Sequence, residues 1–239
     1  MLVRFRQNWL HISCTYGRAR RIINDMVFPM IDRAVLGCTL FLALSASGWA
    51  ADETVVVAFG DSLSAGYGLE EEESFPLQLE RALLAQGVNA RVINAGVSGD
   101  TTAGGRARLA WSMPADADLV ILELGANDGL RGIEPAATEA NLDAMLAELT
   151  KRDTKVLFTG MRAPPNLGRD YGAAFDGMYP RLARKHDVTF YPFFLDGVAA
   201  EPDLNQPDGI HPNAAGVAHI VDRITPFVLD ALARSFSSP

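Results

Sequence analysis

Asp208-Gly209-Ile210-His211-Pro212 sets a carboxylate three residues ahead of an imidazole. One tight turn brings them together. A carboxylate so placed fixes the imidazole tautomer and stabilises its protonated form, which is what a general base in acyl transfer needs. The same residues also read as an Asp turn followed by a helix cap, with Pro212 at the first helical position. Beyond residue 50 the only other histidines are His186 and His219. His186 ends a charged helix in Arg184-Lys185-His186-Asp187 and reads as a solvated surface residue. His219 sits beside an apolar stripe and reads as a partly exposed helix residue.

A base needs a nucleophile, and two serines compete for that role. Ser62 lies in Gly60-Asp61-Ser62-Leu63-Ser64-Ala65-Gly66-Tyr67-Gly68, and Ser98 in Gly96-Val97-Ser98-Gly99. Neither completes a Gly-x-Ser-x-Gly elbow, and Ser62 also reads as a helix cap. Two further residues can meet a developing oxyanion. Gly99 can present a backbone N–H, or be a plain turn glycine. Asn127, in Gly125-Ala126-Asn127-Asp128-Gly129, can offer its amide, or form an Asx turn.

The elements that must position these residues follow from the hydrophobic pattern. Thr54-Val55-Val56-Val57-Ala58-Phe59 is a continuous apolar run, as expected of a strand buried on both faces. Similar runs lie at Val92-Ile93-Asn94, Leu119 through Leu124, Val156-Leu157-Phe158-Thr159 and, more weakly, Val188-Thr189-Phe190-Tyr191. Helical spacing appears in Phe75, Leu79, Ala82 and Leu83 after a cap at Ser74 with Pro76 in the first turn. It recurs in Leu142, Met145, Leu146 and Leu149, in Tyr171, Ala174, Phe175, Met178 and Leu182, and in Val217, Ile220, Val221 and Ile224. Pro180 should kink the third of these helices. The alternation predicts α/β architecture: one domain, a five-stranded parallel sheet in an α/β/α sandwich. Ligands of such sheets bind beyond the carboxyl ends of the strands, where the Ser62, Gly99 and Asn127 loops fall.

The chain has 239 residues, 49% hydrophobic and 21% charged, with formal charge −8. That composition excludes disordered and fibrous classes, and the acidic balance excludes a general nucleic-acid binder. The average hides an unlike start. Residues 1–33 hold six arginines and two acids, residues 34–51 no charge, with the apolar core at about 34–47. Small residues at Gly48 and Ala50 complete the pattern of a secretory signal cleaved after Ala50. A retained anchor is the alternative, as is a translation start at Met26 or Met30. Cleavage leaves residues 51–239 with 15 basic and 27 acidic residues, a charge of −12, no cysteine and no stable membrane anchor. Both cysteines, Cys14 and Cys38, lie in the leader, so neither a disulfide framework nor a cysteine metal site is expected.

Taken in order, the blocks Gly60-Asp61-Ser62-Leu63, Ser98-Gly99-Asp100-Thr101, Asn127-Asp128-Gly129-Leu130-Arg131-Gly132 and Asp208-Gly209-Ile210-His211-Pro212-Asn213 resemble the SGNH (GDSL) hydrolase family across residues 53–235. The resemblance implies a flavodoxin-like α/β/α fold and an exported, periplasmic or secreted serine esterase. Its implied triad is Ser62, His211 and Asp208. Its implied oxyanion hole is the backbone N–H of Ser62, the backbone N–H of Gly99 and the Asn127 side chain. Ala126 departs from the glycine that close relatives tend to have. The implied substrates are small-molecule carboxylic esters and thioesters, including aryl esters, lysophospholipids and acyl-CoA, cleaved by a monomer with no cofactor and no metal. Candidate substrate contacts are Leu130, Arg131, Ile133, Arg162 and Pro164; the rim arginines Arg106, Arg108, Arg131, Arg162 and Arg169 either meet an anionic head group or balance local acids. A carbohydrate O-acetylesterase and a non-catalytic ligand-binding domain are the alternatives.

Overall fold

The computed structural model describes residues 53–152 and 154–234; the expected leader and its cleavage site lie outside them. Five strands, β1 (Thr54–Gly60), β2 (Ala90–Asn94), β3 (Leu119–Glu123), β4 (Lys155–Thr159) and β5 (Thr189–Tyr191), form one sheet. All neighbours are parallel, in the order β2-β1-β3-β4-β5. β1 lies between β2 and β3, so the chain leaves it first to one side and then to the other. The carboxyl ends on either side of that reversal are where a doubly wound sheet opens a crevice.

Among the described residues, seven α-helices flank the sheet: α1 (Ser62–Ala65), α2 (Phe75–Ala85), α3 (Thr102–Ser112), α4 (Ala126–Leu130), α5 (Pro135–Leu149), α6 (Arg169–His186) and α7 (Ala214–Ala233). α2 packs on α7, while α5 packs on both α3 and α6, giving two helical layers. The strands carry the shared core: Val56, Val57, Ala58, Phe59, Leu119, Val120, Ile121, Leu122, Leu157 and Phe158 are fully buried. Each of these Val, Leu, Ile and Phe side chains contributes about 1.5–3 kcal/mol by leaving water.

Several expectations are corrected in detail. Helix α3 is not evident from periodicity, because Gly104, Gly105, Arg106 and Arg108 interrupt its apolar face. α6 is continuous from Arg169 to His186 with Pro180 inside it. α7 begins at Ala214 with Asn213 as its cap, accepting from the Gly216 N–H. Pro212 therefore lies outside the helix, in an isolated antiparallel bridge with Asn205. Ser74 precedes α2, but its hydroxyl donates to the Glu71 carbonyl instead of capping. His186 is not a solvated surface residue: its side chain is 10% exposed and its Nε2 meets Asp143 Oδ1 at 2.6 Å.

Candidate active site

Ser62 is the first residue of α1, directly after β1. Asp61 is the cap: its Oδ1 accepts from the Leu63 N–H at 3.0 Å. The serine's own hydroxyl is thus free of the capping role expected as its alternative. The turn is tight because Gly60 has no side chain. A Cβ there would fall 2.2 Å from Ser64 Oγ and 2.4 Å from Glu123 Oε2.

His211 reaches this serine from a loop 149 residues away, with Nε2 3.0 Å from Ser62 Oγ. Its Nδ1 lies 2.6 Å from Asp208 Oδ2. Asp208 Oδ1 accepts the N–H groups of Ile210 at 2.9 Å and His211 at 3.0 Å. The Asp turn and the aspartate–histidine pair, alternatives in the sequence, are therefore present together: one oxygen closes the turn and the other orients the ring. Hydrogen bonds from the His211 backbone, the His211 ring and the Ile210 backbone hold the Asp208 carboxyl down to about 2. An anionic Asp208 keeps a proton on Nδ1, which leaves Nε2 as an acceptor for the Ser62 hydroxyl.

Gln206 ties the His211 loop to the loop that follows Ser62. Its Nε2 donates to the Tyr67 carbonyl at 2.7 Å and the Pro212 carbonyl at 2.9 Å, and its backbone N–H to the His211 carbonyl at 2.7 Å. The exposed Tyr67 ring lies 4.6 Å from the His211 ring, centroid to centroid. Neither residue stood out in the sequence.

The two remaining blocks come from β2 and β3. Gly99 has φ +85°, a left-handed conformation that turns the β2–α3 loop. Arg131 donates to its carbonyl at 2.8 Å. Asn127, on the first turn of α4, donates from Nδ2 to Asp61 Oδ2 at 3.0 Å, so it is not held in an Asx turn. Asp128 is buried and binds the two loops together: its oxygens accept from the Thr102 N–H at 2.8 Å and the Thr102 hydroxyl at 2.6 Å. Ser98 is exposed on the same rim, and among the described residues no histidine is bonded to it.

Arg108 is not a surface arginine awaiting a head group. It is buried, pairs with Asp100 at 2.6 Å and lies 3.9 Å above the Phe59 ring. Its remaining donors reach the carbonyls of Ala95 at 2.8 Å and Gly60 at 2.8 Å, so it joins the ends of β1 and β2. Of the candidate substrate contacts, Leu130 is 54% exposed and Arg131 sits against Gly99. The Ile133 carbonyl accepts from the Tyr171 hydroxyl at 2.7 Å. Pro164 lies against Gly129, and the Arg162 guanidinium lies over Phe193 at 4.5 Å. Arg106 bonds Asn141.

Residues 58–219 match the GDSL-like lipase/acylhydrolase family. An arylesterase of Vibrio mimicus is 42% identical over 179 residues, 74% of this chain and 88% of that protein. The thioesterase 1/protease 1/lysophospholipase L1 of Escherichia coli is 40% identical over 184 residues, 77% of this chain and 86% of that protein. The crystal structure of AlinE4, a SGNH-hydrolase family esterase, superposes with a TM-score of 0.64 at 52% identity, covering 77% of this chain and 98% of that one. Family, fold and relatives agree, and the chain belongs to the GDSL-like lipase/acylhydrolase family and is an ester hydrolase.

Proposed function

We propose that Ser62 is the nucleophile, His211 the general base and then acid, and Asp208 its orienting partner. The observation that carries this reading is the unbroken chain from Asp208 Oδ2 to His211 at 2.6 Å and from His211 to Ser62 Oγ at 3.0 Å. His211 Nε2 takes the Ser62 proton as Oγ attacks the ester carbonyl. The oxyanion is met by the N–H groups of Ser62 and Gly99 and the Asn127 amide. His211 then protonates the leaving group, and a water that it activates releases the acid from Ser62. Loss of one oxyanion donor costs about 2.7–4 kcal/mol of barrier.

The substrates are esters and thioesters of small alcohols and thiols, with aryl esters and lysophospholipids foremost. The names of the relatives support this, together with exposed Leu130 at the end of α4 and exposed Val97 in the loop after β2. The chain is exported, with the leader removed after Ala50, so its working compartment holds lipids and little coenzyme A. No helix among the described residues is long and apolar enough to cross a membrane.

A fluorophosphonate probe is expected to label the wild type, and Ser62→Ala to abolish both labelling and turnover of aryl esters and lysophosphatidylcholine. Labelling that persists in Ser62→Ala would remove the assignment. Turnover of acetylated xylan without turnover of either lipid or aryl ester would replace the substrate class.

A further inference from the structure

Two carboxyl groups lie directly behind the nucleophile and take no part in the steps above. Asp61 and Glu123 are both 0% exposed. The parallel register sets Gly60 opposite Glu123, which brings the end of β3 against the residue before Ser62. Glu123 Oε2 accepts the Asp61 N–H at 3.3 Å and the Ser64 hydroxyl at 2.9 Å. Its Oε1 is buried with no hydrogen-bond partner among the described residues. Asp61 is better supplied. Oδ1 accepts from the Leu63 N–H at 3.0 Å and Oδ2 from Asn127 Nδ2 at 3.0 Å.

Two adjacent carboxyls in a dry interior do not both ionise, and the charge settles where hydrogen bonds to it are better. Both of Asp61's oxygens are bonded, whereas Glu123 has one bare oxygen. The pair therefore holds one charge, on Asp61, and one proton, on Glu123. Burial pushes the Asp61 carboxyl up to about 6 and Glu123 well above the usual carboxylate range. Around Asp61, the nearby His211 favours the charged form and Asp100 opposes it.

The consequence falls on Asn127. A side-chain amide has a donor end and an acceptor end, and a carboxylate accepts only the donor end. With one N–H of Nδ2 on Asp61, the second is left for the reacting oxygen. The flipped amide would set Oδ1 against a buried anion. We propose that Asp61 is a positioning residue for the oxyanion hole: its carboxylate, kept singly charged by a protonated Glu123, locks the Asn127 amide as a donor. This rests on the reading of Asn127 as an oxyanion donor.

A double-mutant cycle tests it on a short aryl ester. Asp61→Asn has one oxygen where the carboxylate has two: with that oxygen on the Leu63 N–H it turns an NH2 towards Asn127, so the lock is lost. We expect kcat to fall about 10²–10³-fold, as for loss of an oxyanion donor, with KM changed less than roughly 3-fold because the contact matures in the transition state. In the Asn127→Ala background the same change should cost less than about 5-fold, since the two residues act as a unit. Asp61→Ser, which also caps, supplies the cycle if Asp61→Asn does not fold. Equal losses in both backgrounds, or none in the wild-type background, would overturn the proposal while leaving the triad standing. Wild-type rates in Asn127→Ala would remove the oxyanion reading beneath it. At pH 7 the infrared spectrum should show a protonated-carboxyl C=O band that Glu123→Gln lacks; absence of that band from the wild type would put the proton elsewhere and overturn the single-charge pair.

Discussion

Two aspartates flank the same serine–histidine pair, and their surroundings are opposite. Asp208 has a 39% exposed side chain, three hydrogen bonds from its own turn and a carboxyl held near 2. Asp61 is fully buried against a second carboxyl and pushed up to about 6. Water and local donors keep Asp208 charged under all working conditions, so its turn needs little from the core. The charge of Asp61 is favoured by the Leu63 N–H, the Asn127 amide and the nearby His211, against burial that raises its carboxyl, and it comes at a cost in stability. Orientation of His211 is thus a local property of one loop. Orientation of the Asn127 amide is built into the sheet, where the ends of β1 and β3 meet.

The sharpest break of that contrast is Asp208→Asn. The new amide can still close the turn through its oxygen, but its NH2 faces His211 Nδ1 and selects the tautomer with the proton on Nε2. Nε2 then cannot accept from Ser62. Steady-state kinetics should show kcat lower by roughly 10⁴-fold, while thermal scans show little change, since the residue is exposed. A fall in melting temperature comparable to that of a core mutation would mean that Asp208 is a structural residue.

Asp61 and Glu123 were the least legible parts of the site. Ser62 and Asn127 lie in the first turns of short helices just after strands, and Gly99, Asp208 and His211 stand in loops, where polar residues with special spacing are conspicuous against the apolar runs. Glu123 did leave a signal, as the single charge in the run Leu119-Val120-Ile121-Leu122-Glu123-Leu124. Nothing local says what faces it, because register with β1 sets Gly60 beside it. His186 was misread for the same reason: its partner Asp143 lies 43 residues away on α5. Arg108 looked like a rim residue because α3 itself was hidden by its glycines. The five strands were legible because strands buried on both faces carry nearly unbroken apolar runs, whereas α3 depends on an amphipathic period that Gly104 and Gly105 blur.

A smaller effect probes the proposed donor role of the Gly99 N–H, which depends on no carboxylate. Gly99 has φ +85°, and a Cβ there would meet only Arg131 Nη2, at 3.9 Å. Gly99→Ala is therefore strained without being crowded, at about 1–3 kcal/mol. Relief of that strain rotates the N–H from its place, and we expect kcat to fall about 10–100-fold. Retention of full activity with a lowered melting temperature would show that the loop keeps its shape and that the Gly99 N–H is not needed.

The contrast between the two aspartates also predicts opposite responses of stability to pH. The Asp61 carboxyl moves from 3.8 up to about 6 on folding. Between those values the folded protein holds a proton that the unfolded chain has released, so lowering the pH from 6 towards 4 stabilises the fold. Above pH 6 the buried charge costs about 3 kcal/mol relative to the neutral acid. Asp208 moves the other way, from 3.8 to about 2. Its contribution is full above about pH 4 and is lost as the pH falls through 2, and solvent screening keeps it small. Asp61→Asn removes the first effect alone. Its melting temperature at pH 7 should match or exceed that of the wild type, because a neutral amide replaces a buried charge at a cap position that asparagine also serves. On titration to pH 4.5 the wild type should gain on the variant by several degrees, at roughly 2–4 °C per kcal/mol for a domain of this size. Parallel melting curves for the two proteins across that range would show that Asp61 carries no charge when folded at pH 7, and that the Asn127 amide is held by something other than an anion.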